Sequence, residues 1–320
     1  MSRASIRELL RLTVVAVATT IAGCADSPTT DPGRGTTPAP IIPTPSPLVP
    51  APPGSPEFIY VANADGTGAT RLTKGGQASW SPDGRRIVFH RYPTPSPPGL
   101  IYVIDVDGSN ERELLPGEWP SWSSDGKRIV FADGGGLEVM DADGSNDRHL
   151  LGVDFVDDAG QAPGLPPLHP VWSPDGKRIA FERGSDWESW PSEIFVMNTD
   201  GTNLHRLSMD THGPWYSEYG PAWSPDGRSI AYWSYSYGIA ITDADGGTPR
   251  SVFADPHVGS GSKPAWSPDG GSLAVNTPRD GTRWITILSL RTNTTQLLIS
   301  DAYDLTYSPD GKRVAFTSTR

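Results

Sequence analysis

The sequence predicts an all-β fold, a six-bladed β-propeller of four-stranded antiparallel blades. Three observations carry this. The pentapeptide Trp-Ser-Pro-Asp-Gly, or a one-residue variant, starts at Trp80, Trp122, Trp172, Trp223, Trp266 and Tyr307. Successive copies are 42, 50, 51, 43 and 41 residues apart, the period of a radially repeated unit. A second turn recurs between them, as Asn63 to Gly66, Asp105 to Gly108, Asp141 to Gly144, Asn198 to Gly201 and Asp243 to Gly246, and degenerates at Ser289 to Thr292. The third is composition: 33 Pro and 35 Gly with 36% hydrophobic residues suit short strands and tight turns rather than long helices.

The elements follow in chain order. Residues 1–23 read as a signal peptide, with Arg3, Arg7 and Arg11 ahead of an apolar run from Leu12 to Ala22. That run is short for a permanent membrane span. Ile21-Ala22-Gly23-Cys24 resembles a lipobox, in which a cysteine is lipidated after cleavage. The alternative is an ordinary secretory peptide with an incidental cysteine. Cys24 is the only cysteine, so no intrachain disulfide is expected. Acyl chains on it would anchor the protein without spanning the bilayer. Residues 24–56 are rich in Pro, Thr, Ser and Gly and read as a disordered tether. Thirty residues of polyproline II reach about 90 Å.

The propeller is expected over residues 57–320. In one unit, Ala78 to Ser81 forms an inner strand, and Pro82-Asp83-Gly84 turns the chain. Arg86 to Phe89 is the second strand, Ile101 to Ile104 the third and Glu111 to Leu115 the outermost. Inner and outer motifs are offset. A hairpin over Phe58 to Leu72 precedes the first pentapeptide, and Leu305 to Thr317 has no outer hairpin after it. The N-terminal hairpin is therefore expected to complete the C-terminal blade, closing the ring without an unpaired inner edge.

These motifs resemble the TolB-type propeller repeat, a WD40-like family, most fully at Trp172 to Phe181 and Ile194 to Gly201. The resemblance spans residues 57–320. It implies a propeller, whose fold hosts many unrelated activities. TolB itself carries an α/β domain ahead of its propeller, and residues 1–56 leave no room for one.

Net charge is −11. Three Arg against one Glu give the leader +2, leaving about −13 elsewhere. Such an acidic body disfavours nucleic acid and anionic lipid as partners. Both short turns of each blade fall on one face. The loops joining second to third strands, and those joining blades, fall on the other and vary widely. Binding residues are expected there.

The loops from Gly152 to His169, Arg183 to Glu193 and Ser208 to Pro221 stand out. The first carries Asp154, Asp157 and Asp158, the second Asp186, Trp187, Glu188 and Trp190, the third His212, Trp215, Tyr216, Glu218 and Tyr219. Tyr235 and Tyr237 follow in the next blade. Aromatics beside carboxylates suit a sugar, a peptide or a cationic group. Their other use is loop-on-loop packing. A second candidate set lies three residues before each repeat aromatic: Gln77, Trp119, His169, Gly220, Lys263 and Asp304. Each should stand near the channel mouth, where it lines a ligand pocket or is simply solvated.

Among six histidines, His169, His212 and His257 fall near one face, but no pair has metal-ligand spacing and no metal or other cofactor is expected. The Asp-x-Asp-Gly turns lack the distal ligands of a calcium loop. Nucleophile-elbow, P-loop and dinucleotide motifs are absent. The expected role is a monomeric, lipid-anchored extracytoplasmic propeller binding an envelope protein, peptide or glycan without catalysis. The alternative is a channel-mouth enzyme such as a polysaccharide lyase or a lactonase-like hydrolase.

Overall fold

The structure is a computed structural model that describes residues 57–93, 99–153, 155, 166–183, 192–207, 218–253 and 263–320. Contacts divide the chain into 1–43 and 44–320, and every described residue belongs to the second unit. The leader, Cys24 and the whole tether lie outside the described residues.

Among the described residues, twenty-four strands form six four-stranded antiparallel sheets. Blade 1 comprises Gly76–Trp80, Arg86–Arg91, Leu100–Asp105 and Arg112–Pro116, and blade 2 Glu118–Trp122, Arg128–Ala132, Gly136–Asp141 and Arg148–Gly152. Blade 3 runs Pro167–Trp172, Arg178–Arg183, Glu193–Asn198 and His205–Arg206. Blade 4 runs Glu218–Trp223, Ser229–Ser234, Gly238–Asp243 and Arg250–Phe253. Blade 5 runs Ala265–Trp266, Ser272–Arg279, Thr282–Ser289 and Thr295–Ser300. Blade 6 joins Ala302–Tyr307 and Arg313–Ser318 to the N-terminal strands Phe58–Asn63 and Thr70–Lys74. Phe58 pairs with Ser318 and Asn63 with Arg313, so the expected clasp forms.

The turn chemistry explains why the pentapeptide recurs. In blade 1 the Ser81 hydroxyl donates to Asp83 Oδ1 at 2.6 Å and accepts from the Arg86 amide at 2.9 Å. Asp83 also accepts from the Arg85 amide. The Ser81 hydrogen bond, with smaller help from neighbouring charges, holds the Asp83 carboxyl below its ordinary range. The same Ser–Asp bond recurs in the other five copies, including Ser123–Asp125, where serine replaces proline. Each Asp therefore fixes its own turn, and the outer turns work alike, with Thr67 donating to Asp65.

The core lies between blades, in six apolar clusters, one per interface. Val88, Ile101 and Val103 of blade 1 meet Trp122 and Phe131 of blade 2, for example. The cluster of Ile59, Val61 and Ala315 with Trp80, Ile87 and Phe89 joins blade 6 to blade 1 and closes the ring. Burial of this apolar surface is the main favourable term.

Candidate functional site

The residues three before each repeat aromatic share a backbone state. Gln77, Trp119, His169, Gly220 and Asp304 have φ between 49° and 62°. At each, the pairing of the inner strand with the second strand shifts register, as between Gly76 and Ser79 or Tyr303 and Thr306. A positive φ at a bulge turns the strand and re-aims its side chain. Lys263 stands just ahead of the short inner strand of blade 5.

Three of the six meet around a central cavity of about 280 Å³. Gln77 of blade 1, Asp304 of blade 6 and Lys263 of blade 5 line one part of it. Its wall continues along the inner strands to Trp172, Trp223, Trp266 and Tyr307, and to the turn prolines Pro174, Pro225, Pro268 and Pro309. Gln77 Nε2 donates to Asp304 Oδ2 at 2.5 Å. Burial is the main influence on Asp304 and raises its pKa to about 6, against opposing charges at His169, Lys263 and Arg283 and a reinforcing one at Glu57. Burial lowers the pKa of Lys263, and the charge of Asp304 partly restores it. Gly220 makes room for Lys263, because a Cβ there would fall 2.8 Å from the Lys263 Cα.

Trp119 and His169 take another place. Their rings approach within 4.7 Å, and Trp119 packs against the cluster between blades 2 and 3. His169 Nδ1 lies 3.0 Å from Glu182 Oε2, which also accepts from the Gly220 amide at 3.1 Å. His90 Nδ1 accepts from the Trp119 amide at 3.2 Å. His90 is 4% exposed, and burial first, then the charge of His169, pulls its pKa down to about 4.

The second-strand residues His90 and Glu182 were missed by sequence reasoning. Each follows the repeat phenylalanine, Phe89 or Phe181, and caps an amide that the next blade's bulge frees from its ladder. That offset was the available signal. Glu57 and Tyr303 were also missed. Tyr303 donates to Glu57 Oε1 at 2.6 Å, beside Asp304. Burial and that carboxylate raise the Tyr303 pKa well above the ordinary phenol range.

Of the loop aromatics, Trp187, Trp190, Trp215 and Tyr216 lie outside the described residues. So do Asp154, Asp157, Asp158, Asp186, Glu188, His212 and His257. Tyr219 packs against the cluster between blades 4 and 5, with its ring 5.4 Å from that of Trp233. Tyr237 packs against the cluster between blades 3 and 4. Tyr235 is 66% exposed. Among the described residues, the other exposed large apolar side chain is Tyr92, on the same face at the end of the second strand of blade 1. No group of three potential metal ligands occurs among the described residues.

Residues 216–320 match the family described as the TolB beta propeller domain, so the repeat resemblance stands. Among solved structures, the chain is similar to a putative TolB from Agrobacterium tumefaciens, at 18% identity and TM-score 0.65, over 82% of this chain and 98% of that one. TolB from Acinetobacter baumannii also has 18% identity, with TM-score 0.56, over 82% and 64%. A gluconolactonase from Xanthomonas campestris shares 18% identity at TM-score 0.52, over 85% and 98%. At such identity these likenesses establish the fold alone. No curated protein matches the chain.

Proposed function

We propose that this protein is a lipid-anchored, extracytoplasmic propeller that binds an envelope protein, peptide or glycan through its variable face, without catalysing a reaction. One observation carries the reading. Tyr92 and Tyr235, the exposed large apolar side chains among the described residues, both stand on that face. Four of the five repeat tryptophans, Trp80, Trp122, Trp172 and Trp223, are buried between blades instead. Exposed tyrosines offer apolar area with a polar tip, the usual chemistry of a recognition surface. Similarity to TolB propellers supports an envelope setting, and the lipobox-like Ile21 to Cys24 supports an acyl anchor.

The test is a pull-down from native envelopes. Wild type should retain a partner. A variant with Tyr92→Ser and Tyr235→Ser, combined with alanine at Trp187, Trp190, Trp215 and Tyr216, should lose it while keeping its β-sheet circular dichroism. Retention of the partner by that folded variant refutes the reading. Fatty-acid labelling that persists in Cys24→Ala refutes the anchor.

A second reading, a channel-mouth lyase or lactonase-like hydrolase, draws on one observation. Asp304, with its pKa raised to about 6, faces the cavity with Lys263, a pairing that suits proton transfer near neutrality. Turnover of uronate polymers or sugar lactones, lost in Asp304→Asn, would establish it.

A further inference from the structure

The cavity wall holds an ammonium and a carboxyl group that answer different needs. Asp304 already has a fixed partner in Gln77. Among the described residues, Lys263 takes part in no hydrogen bond and no carboxylate lies within salt-bridge distance of it. Its side chain is half-buried and faces the cavity lumen. An ammonium in such a setting costs desolvation energy that the charge of Asp304 offsets in part and a bound anion would offset further. The turns that form the rest of the wall contribute prolines and indoles rather than further cations.

We propose that the central cavity binds a small hydroxycarboxylate, with Lys263 Nζ donating to its carboxylate and Asp304, held by Gln77, engaging the adjacent hydroxyl. Three features select this class. The ammonium calls for an anion, which a carboxylate supplies. A neutral hydroxyl, able to donate and accept, matches a carboxyl group in either protonation state. The cavity volume of about 280 Å³ lies at the lower edge of the ligand-pocket range, so it admits a small metabolite rather than a polymer segment. The indoles of Trp172, Trp223 and Trp266 border the cavity and give the ligand apolar walls.

Groups of both signs face Asp304. They are His169 of blade 3, Lys263 and Arg283 of blade 5, Gln77 of blade 1 and Glu57 of the N-terminal strand. Proton uptake by Asp304, whose pKa burial raises to about 6, makes the cavity less negative, so an anion binds better as the pH falls from 8 toward 6. This inference is independent of the loop aromatics and survives if they bind nothing.

The probe is glycolate, followed by the indole N–H resonances of the full chain. Formate serves as a carboxylate without a hydroxyl, and methyl glycolate as a hydroxyl without a carboxylate. Glycolate should shift cavity indole resonances saturably, formate more weakly and methyl glycolate not at all. Lys263→Met should weaken glycolate binding at least about tenfold, the value of one charge-assisted hydrogen bond. Gln77→Leu, which leaves both charges in place, should weaken it less and provides a second variant if Lys263→Met does not fold. No saturable shift with glycolate up to tens of millimolar, equal shifts with methyl glycolate, or unchanged affinity in folded Lys263→Met each overturn the proposal.

Discussion

Four blade interfaces and two blade interfaces are built differently. At four of them, the arginine that opens a second strand lies over the repeat tryptophan of the next blade. Arg86 covers Trp122, Arg128 covers Trp172, Arg178 covers Trp223 and Arg313 covers Trp80, at 4.7–5.0 Å from the ring centroid. At the interfaces of blade 4 with blade 5 and blade 5 with blade 6, the equivalent residues are Ser229 and Ser272. The aromatics they would cover, Trp266 and Tyr307, are part-exposed, whereas the four covered tryptophans are 5–8% exposed. The guanidinium does more than shield a ring. Arg313 donates to the Gly84 carbonyl at 2.8 Å and Arg178 to the Gly227 carbonyl at 3.2 Å, joining consecutive turns. The repeat is thus a device for locking one blade to the next. The two interfaces without it flank blade 5, which contributes Lys263 to the cavity. Relaxed repetition and the candidate ligand site coincide.

This comparison can be broken by mutation, beginning with the rings. Trp80→Ala should cost about 4 kcal/mol by urea unfolding, as loss of a buried aromatic does, and Trp266→Ala only about 2 kcal/mol. Equal losses would show that the arginine cover is incidental. Next come the arginines. Arg178→Ser should destabilise by about 2 kcal/mol, since it removes a largely desolvated cation–π contact together with hydrogen bonds to Gly227 and Ala244. A smaller gain is expected from the reverse change. Ser229→Arg should cover Trp266 and raise the midpoint by an amount equivalent to about 1 kcal/mol. A drop in the midpoint would mean that blade 5 cannot accept the guanidinium.

The smallest effects concern pH. His90 has a folded pKa lowered from 6.5 to about 4 by burial, so its contribution is complete above about 6.5 and is lost as the pH falls toward 4. Asp304 has a folded pKa raised from 3.8 to about 6, so its contribution is complete below about 3.8 and is lost as the pH rises through 6. The two oppose each other across that window. Thermal melts of His90→Gln should lose stability less steeply than wild type between pH 6.5 and 4. Asp304→Asn should lose it more steeply. Parallel curves for either variant would contradict the burial-driven shift at that residue.

The clasp was legible in the sequence because motif offset is a counting argument. A hairpin before the first pentapeptide and a lone hairpin after the last leave one topology that pairs every strand. The arginine ladder was equally present, since Arg stands two residues after the Gly in four copies and Ser in two. Its meaning needed the ring, because each arginine acts on a tryptophan of the following blade, at least 36 residues away in the chain. The channel residues divide in the same way. Spacing from the repeat aromatic placed Gln77, Lys263 and Asp304 at the channel. It could not separate them from Trp119 and His169, which share the repeat position yet pack against each other.

The sequence by itself determined the number of blades, the closure scheme and the face on which each turn lies. These follow from local chemistry: a hydroxyl and a carboxylate fix each turn, and strands alternate their side chains. The tertiary structure decided which residues of different blades meet. Gln77 and Asp304 are 227 positions apart and hydrogen-bonded. Lys263 faces the same cavity because Gly220 in the neighbouring blade leaves room for its backbone. Such meetings depend on ring closure and on the bulge at each inner strand, and neither the spacing nor the chemistry of a single repeat encodes them.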